Sequence, residues 1–203
     1  MSHSPTDVLT IIVMADGDTD YLFLEKVLKD DPDISNLPIC FVRPEELGLK
    51  RRTGGGHKTL LREAGLAVIK SAKGFADGVL LLLDNDGDPR FSFPHDDHCG
   101  NCRECEAYHA MERVRWGQPL KNKAVILFQA LETMLLSTKD GFTPQLEENC
   151  FSGDLKIRLY GRDMRGGQEK YEAFQYELEK TDIKKIKAKS YPRLKKVLCD
   201  ICM

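Results

Sequence analysis

The chain has 203 residues, which is enough for one domain with a sizeable core. Its 41% apolar and 31% charged residues fit a soluble globular protein, and no apolar segment approaches the length of a membrane span. A net charge of −2 indicates no overall preference for acidic or basic partners. The seven cysteines occur in a chain without a recognisable signal peptide, so we expect a cytoplasmic protein whose thiols are reduced or bind metal.

The first strong signal is an apolar, β-branched run over residues 8–15, which predicts a strand. An acidic turn that contains a glycine follows over residues 16–20, and residues 21–28 have helical spacing. Asp18 or Thr19 is placed to cap that helix. Strand, acidic turn and helix together predict the opening of a βα unit.

A basic, glycine-rich loop follows a second predicted strand at residues 38–43. The loop spans residues 49–58 and leads into a helical pattern over residues 59–70. Glycine amides at a helix N-terminus suit an anion, although the loop lacks Walker A spacing. The alternative is a surface loop whose glycines only serve the turn. The residues that a phosphate contact would use are Gly54, Gly55, Gly56 and Lys58, with Arg51 adding charge.

The chain is organised around residues 79–88, where five apolar residues lead into an acidic turn. The apolar run predicts a strand buried on both faces, and open α/β sheets bind ligands at the carboxyl ends of such strands. Close carboxylates repel one another without a cation, and Mg²⁺ prefers oxygen ligands. Asp84, Asp86 and Asp88 therefore predict a Mg²⁺ or Mn²⁺ site, and an ordinary Asp/Asn/Gly turn is the alternative.

A Cys/His-rich loop insertion without periodicity covers residues 90–105. A C-x-x-C pair supplies half of a zinc site, and a second pair near the C-terminus could supply the other half. The four candidate ligands for a structural Zn²⁺ are Cys99, Cys102, Cys199 and Cys202. Cys105 with a nearby histidine could replace the second pair, and a loop with free thiols is the remaining alternative.

Residues 124–131 form another apolar run, which predicts a buried strand, and Glu132 follows it at the predicted start of a helix. Glu132 is then a further carboxylate near a strand end, or a solvated first-turn glutamate favoured by the helix dipole. The remaining patterns predict a helix at residues 104–115, a loop at 138–150, an edge strand at 155–160 and a polar helix at 169–178.

A basic segment occupies residues 180–203. Its lysines could bind phosphate backbones and Tyr191 could stack on a base, although a solvated helix face is the commoner explanation of such a run. With no internal repeat or low-complexity linker, residues 1–203 are interpreted as a single domain.

The order of these elements resembles the TOPRIM fold, the metal-binding catalytic domain of primases, topoisomerases and certain nucleases. Asp16-Gly17 is similar to the Glu-Gly that ends the first strand in that family, and Asp84-Asn85-Asp86 is similar to its Asp-x-Asp motif. More narrowly, the chain resembles uncharacterised TOPRIM-like proteins of mobile and defence-associated bacterial loci. The resemblance covers roughly two-thirds of the chain and depends on the order of short motifs.

The resemblance implies a three-layer, Rossmann-like α/β domain with a mostly parallel central sheet and helices on both faces. It also implies a nuclease that acts on nucleic acid, in which Asp84, Asp86 and Asp88 hold one or two Mg²⁺ ions and Glu132 completes the carboxylate ring. Asp16 would be a metal ligand or the general acid/base. Asp16 and Asp20 stand where the family pattern has glutamates, and their side chains are one methylene shorter. A protein that binds metal or nucleic acid without cutting the nucleic acid is therefore an alternative.

Two other functions remain open on the sequence. Asp16 and Asp18 after a strand resemble the nucleophile and acid of haloacid-dehalogenase-type phosphatases, although Asp20 stands where that motif has Thr or Val. No convincing lysine motif precedes the second acidic turn. The other alternative is a non-catalytic nucleic-acid-binding module with a zinc-stapled loop. The sequence gives no prediction of oligomeric state.

Overall fold

In the computed structural model, a parallel sheet forms the centre of the described part of the chain. The described residues are 8–15, 17–48, 71–85, 103–112, 122–128, 130–149, 152–164 and 167–202. Within these ranges, the strands are β1 (Leu9–Met14), β2 (Ile39–Val42), β3 (Gly78–Asp84) and β4 (Asn122–Phe128). Four of the five predicted strands and the α/β class are confirmed.

The four strands lie in the order β2-β1-β3-β4, and every neighbouring pair is parallel. Met14 of β1 lies beside Leu81 of β3, and Asp84 of β3 lies beside Phe128 of β4. Strand β1 connects to β2 on one side, and the chain then crosses to β3 on the other side. A sheet of this order has its topological switch point between β1 and β3, where a crevice opens at the carboxyl ends of the strands.

Helices pack on both faces of the sheet. They are α1 (Asp18–Asp30), α2 (Arg103–Glu112), α3 (Glu132–Leu136), α4 (Pro144–Asn149), α5 (Ser152–Tyr160), α6 (Gly167–Lys180) and α7 (Ser190–Ile201). Short 3₁₀ turns lie at Pro44–Leu47 and Ile183–Lys185, and a π-helical turn lies at Ser71–Phe75. No helix in the described ranges combines the length and the apolar character needed to cross a membrane.

The alternation of side chains along the strands explains the two layers of core. Leu80 and Leu82 of β3 pack with α1, α3, α6 and α7, whereas Leu81 and Leu83 pack with Met111 of α2 on the other face. Both faces of β3 are therefore buried, which is why its sequence is a continuous apolar run rather than an alternating one. Each of these leucines contributes about 1.5–3 kcal/mol of burial free energy.

Three local predictions were wrong. Residues 155–160, predicted as an edge strand, belong to helix α5, because Leu155 and Leu159 lie one helical turn apart on a buried face while Ile157 is exposed. Part of the predicted loop at residues 138–150 is helix α4. Helix α1 starts at Asp18 with Gly17 as its N-cap, so neither predicted cap residue caps it.

The basic segment is not simply a solvated surface. It contains α7, whose apolar residues are buried in the main core together with Tyr191. The predicted stacking of a base on Tyr191 is wrong, because this side chain is 4% exposed and its hydroxyl donates a hydrogen bond to Asp31. Three of the segment's cations form ion pairs: Arg193 pairs with Glu104, Lys195 pairs with both Asp31 and Asp33, and Lys185 pairs with Asp182.

Several predicted features lie outside the described residues. They include the glycine-rich loop, the helix at residues 59–70 and residues 90–102 of the Cys/His-rich insertion. The last three residues of the predicted insertion, 103–105, are the start of α2.

Candidate functional site at the carboxyl edge of the sheet

The carboxyl end of β3 is anchored by a buried arginine. Nη1 of Arg103 donates hydrogen bonds to the backbone carbonyls of Asp84, at 2.7 Å, and Asn85, at 3.3 Å. Arg103 is the first residue of α2 and is 9% exposed. Because these bonds use backbone oxygens, the arginine fixes the strand end whatever side chain stands at position 84. Asp84 is therefore held at the switch point of the sheet, beside β4.

The first turn of α1 brings another acid to the same edge. Oδ2 of Asp20 accepts a hydrogen bond of 3.0 Å from the amide of Gly17, and Asp20 is 8% exposed. The Tyr21 hydroxyl donates a bond of 2.9 Å to the carbonyl of Val13, which ties the helix to β1. A Cβ at position 17 would lie 3.3 Å from Oδ2 of Asp20, so glycine leaves room for this carboxylate.

Glu132 supplies a third carboxylate, at the start of α3 shortly after β4. It is 1% exposed, so the solvated alternative for Glu132 is wrong. Nζ of Lys170, from α6, lies 3.2 Å from its Oε1. Within the described residues, neither carboxylate oxygen of Glu132 has a well-aligned hydrogen bond. Glu132 is thus a buried carboxylate whose charge partner is the Lys170 ammonium.

The Tyr160 side chain lies close to Glu132. Burial raises the pKa of the Tyr160 hydroxyl, and the negative charge of Glu132 raises it further. The hydroxyl therefore stays protonated at neutral pH and is a possible hydrogen-bond donor to a group in this region. Tyr160 ends helix α5, which packs against α3.

Lys170 brings the three acids into one electrostatic site. Burial favours the neutral amine, but the charges of Glu132, Asp84 and Asp20 outweigh it and raise the pKa of Lys170 above its ordinary value. Three acids, one at the end of β3 and the others shortly after β1 and β4, therefore act on one ammonium. We call Asp20, Asp84 and Glu132 the carboxylate cluster.

Two of the acids that the sequence singled out, Asp84 and Glu132, both act electrostatically on Lys170. Asp16, the first predicted catalytic residue, lies outside the described residues, although Gly17 next to it is at this edge. The other predicted site residues outside the described ranges are Asp86, Asp88, Gly54, Gly55, Gly56, Lys58, Arg51, Cys99 and Cys102. Among the described residues, no group of three His, Cys, Asp or Glu side chains is arranged to hold a metal ion.

Only half of the predicted zinc site falls in the described part of the chain. Cys199 and Cys202 lie at the end of α7, and both are half-buried free thiols. Burial raises the pKa of the Cys202 thiol, and the neighbouring Cys199 adds to the effect. The zinc site and the meeting of the two C-x-x-C pairs remain predictions.

The sequence interpretation missed Lys170, Tyr160 and Arg103. Lys170 had a detectable signal, because it precedes Phe174 and Leu178 at intervals of four residues and both are buried in α6. A lysine on the apolar stripe of a helix faces the interior and needs an acidic partner there. Tyr160 was misplaced together with its predicted strand, and Arg103 gave no comparable signal.

Comparison of the chain with protein-family models, with curated proteins and with solved structures yields no match. The TOPRIM resemblance therefore stays a prediction that depends on the motifs and on the site described above.

Proposed function

We propose that this chain is a TOPRIM-like, divalent-metal-dependent phosphoryl-transfer protein that cleaves nucleic acid. The observation that carries the proposal is the buried Lys170–Glu132 ion pair, with 3.2 Å between Nζ and Oε1, together with the action of the charges of Asp84 and Asp20 on the same ammonium. Buried carboxylates are costly unless they serve a site or are compensated, and here they lie where α/β sheets bind ligands.

The sequence after β3 fits a hard cation. Asp84 is followed along the chain by Asp86 and Asp88, and carboxylate oxygens are the ligands that such a cation prefers. In this proposal Asp84, Asp86 and Asp88 hold Mg²⁺ or Mn²⁺. A cation bound there would polarise the phosphodiester and stabilise the leaving oxygen.

In this proposal, other side chains of the protein supply acid/base catalysis and substrate binding. Asp16 would be a ligand or the general acid/base, and Lys58 with Arg51 would contact the phosphate. Arg103 holds the strand end so that Asp84 keeps its place when a charged substrate approaches. The cations of the basic segment would contact the nucleic-acid backbone, which makes binding depend on salt.

The experiment is a comparison of the wild-type chain with Asp84→Ala. Mn²⁺ binding is measured by calorimetry, and cleavage of single- and double-stranded DNA and RNA is measured with Mg²⁺ or Mn²⁺. We expect Asp84→Ala to lose cation binding and at least about a hundredfold in cleavage, with an unchanged circular dichroism spectrum. The fold should persist because Arg103 contacts the backbone of residue 84. Asp140→Asn, an exposed turn residue, is the control. A wild-type chain that binds no divalent cation would end the proposal.

One observation favours a second candidate, a haloacid-dehalogenase-like phosphatase. Such an enzyme needs a lysine beside its acids, and Lys170 supplies an ammonium that the sequence motifs lacked. Hydrolysis of p-nitrophenyl phosphate that is abolished by Asp16→Asn, without cleavage of nucleic acid, would favour this candidate. Nucleic-acid binding that is steeply salt-dependent and insensitive to EDTA, without hydrolysis, would favour the non-catalytic binding module.

A further inference from the structure

The negative charge of Glu132 is compensated by a side chain of the protein itself. Its carboxylate is 1% exposed, and the Lys170 ammonium lies 3.2 Å from Oε1. Hard divalent cations bind carboxylate oxygens directly, at about 2.0–2.6 Å. An ammonium and a metal ion therefore compete for the same side of this carboxylate.

The packing of α6 fixes the position of Lys170. Its helix packs against α1, and Phe174 and Leu178, one and two turns further along, are buried in the main core. The lysine side chain is only 20% exposed. Moving the ammonium away from Glu132 would leave a buried carboxylate uncompensated, which is costly.

The cluster is also not arranged as a complete metal cage. Within the described ranges, its acids do not form a three-ligand group, although Asp84 and Asp20 both act electrostatically on Lys170. The Lys170 ammonium, 3.2 Å from Oε1 of Glu132, thus supplies positive charge that acts on these acids. A second metal ion supplies such a charge in a two-metal phosphoryl-transfer site.

We propose that Lys170 is a built-in cation that takes the place of a second metal ion, so that this site binds a single divalent cation and Glu132 is held by the lysine. This inference rests on the proposed function, because it concerns how many cations that site takes. Lys170 is then a positioning residue, which holds Glu132 and balances charge beside the substrate phosphate.

The test is a Mn²⁺ titration of the full chain, followed by calorimetry and by the electron paramagnetic resonance signal of free Mn²⁺, which counts bound ions. We expect one bound ion in the wild type. Lys170→Met should bind a second ion, or bind the first at least about tenfold more tightly, because removal of a nearby positive charge strengthens cation binding. Lys170→Arg should bind one ion with wild-type affinity.

Lys26→Met is the matched control. Lys26 is 21% exposed and also forms an ion pair, with Asp30 on the exposed side of α1. Its substitution changes the net charge by the same amount, so it should leave Mn²⁺ binding unchanged. An equal gain in Lys26→Met would show that overall charge is responsible and would overturn the inference.

A measurement on the wild type keeps the test valid if Lys170→Met does not fold. Reductive methylation followed by mass spectrometry should find Lys170 unreactive both without and with saturating Mn²⁺, because the lysine stays on Glu132. Reactivity that appears only with Mn²⁺ would mean that metal displaces Lys170, against the inference.

The outcomes separate the two proposals. Two ions bound to the wild type, or one ion of equal affinity in the wild type and Lys170→Met, would overturn the inference and leave the proposed function standing. No bound ion in the wild type would remove the proposed function itself, and the inference with it.

Discussion

The hydroxyl of Tyr191, in the last helix, donates a hydrogen bond to the buried carboxylate of Asp31 at the end of the first helix. The Tyr191 ring also packs edge-on against Phe23, with centroids 6.4 Å apart. Lys195, one turn along α7, lies 3.2 Å from the same carboxylate. The C-terminal helix is thus fastened to the opening βα unit by polar contacts inside an apolar interface.

Tyr191→Phe should destabilise the fold by about 1.5–3 kcal/mol, because the buried Asp31 carboxylate loses a charge-assisted hydrogen bond. The free energy of unfolding in urea measures the loss. Tyr176→Phe is the control, since Tyr176 is 59% exposed and its substitution should stay within about 0.5 kcal/mol. Equal effects of the two substitutions would mean that the Tyr191 hydroxyl contributes nothing to stability.

Asp31 should also contribute to the pH dependence of stability. Burial opposes its ionisation, but hydrogen bonds from Tyr191 and from the Asp33 amide, together with Lys195, hold its pKa below the ordinary value. A carboxyl whose pKa is lower in the folded state stabilises above its unfolded pKa of about 3.9, and the contribution is lost as the pH falls through the folded value. We expect the stability difference between wild type and Asp31→Asn to be largest near pH 7 and to shrink towards pH 3. A difference in unfolding free energy that is constant with pH would contradict this.

Glu147 acts as the N-terminal cap of α7 from a distant helix. The N-cap position holds Lys189, which provides no side-chain acceptor, and the Glu147 carboxylate accepts from the amides of Lys189, at 2.5 Å, and Ser190, at 3.0 Å. It also accepts from the Ser190 hydroxyl, at 2.6 Å. Glu147→Ala should cost about 2–3 kcal/mol in urea unfolding, since buried amides lose their acceptor. Glu179→Ala, exposed on α6, should cost under about 0.5 kcal/mol. If both variants unfold at the same urea concentration, Glu147 does not cap α7.

The strands could be predicted from the sequence because each is a short apolar run with a clear boundary. Residues 78–84 are buried on both faces by two separate layers of helix, and only a continuous apolar run satisfies both. The acids at the ends of these runs were predictable for the same reason. Parallel strands end at one edge, so Asp84 and Glu132 had to lie on the same side of the sheet.

What the sequence could not supply are contacts between residues far apart in the chain. Leu155, Ile157 and Leu159 alternate as in a strand, and only packing of α5 against α3 favours the helix that buries Leu155 and Leu159. Lys170 and Glu132 belong to helices that are separated along the chain by two others. No local sequence pattern predicts which acid pairs with a buried lysine. Such pairings depend on tertiary packing.

Substitution of Lys170 and substitution of Glu132 should lower the free energy of unfolding by different amounts. Lys170→Met leaves a fully buried carboxylate uncompensated, and we expect a loss of about 3 kcal/mol in unfolding free energy. Glu132→Gln leaves an ammonium that is 20% exposed and can reach water, so its loss should be smaller, about 1 kcal/mol.

Because Glu132→Gln removes the buried charge, the double variant should be more stable than Lys170→Met alone. A double-mutant cycle by urea denaturation measures this coupling. Additive losses would show that the two side chains are not coupled, despite their 3.2 Å separation.

The basic segment gives the last prediction, which concerns nucleic acid directly. Arg193 and Lys195 are held by acidic partners, whereas Lys184 and Lys187 are exposed. If these two lysines contact phosphates, replacing both by alanine should weaken binding to DNA and RNA of any sequence. The slope of log affinity against log salt concentration should fall by about 0.7–0.9 for each lost contact.

The control for this measurement is Lys29→Ala/Lys139→Ala, which removes the same charge from exposed lysines outside the segment. Fluorescence anisotropy at several salt concentrations compares the two double variants. A larger loss of slope in Lys184→Ala/Lys187→Ala than in the control would locate the phosphate contacts in the basic segment. Equal slopes would mean that this segment serves the fold through α7 and that nucleic acid, if bound, contacts another surface.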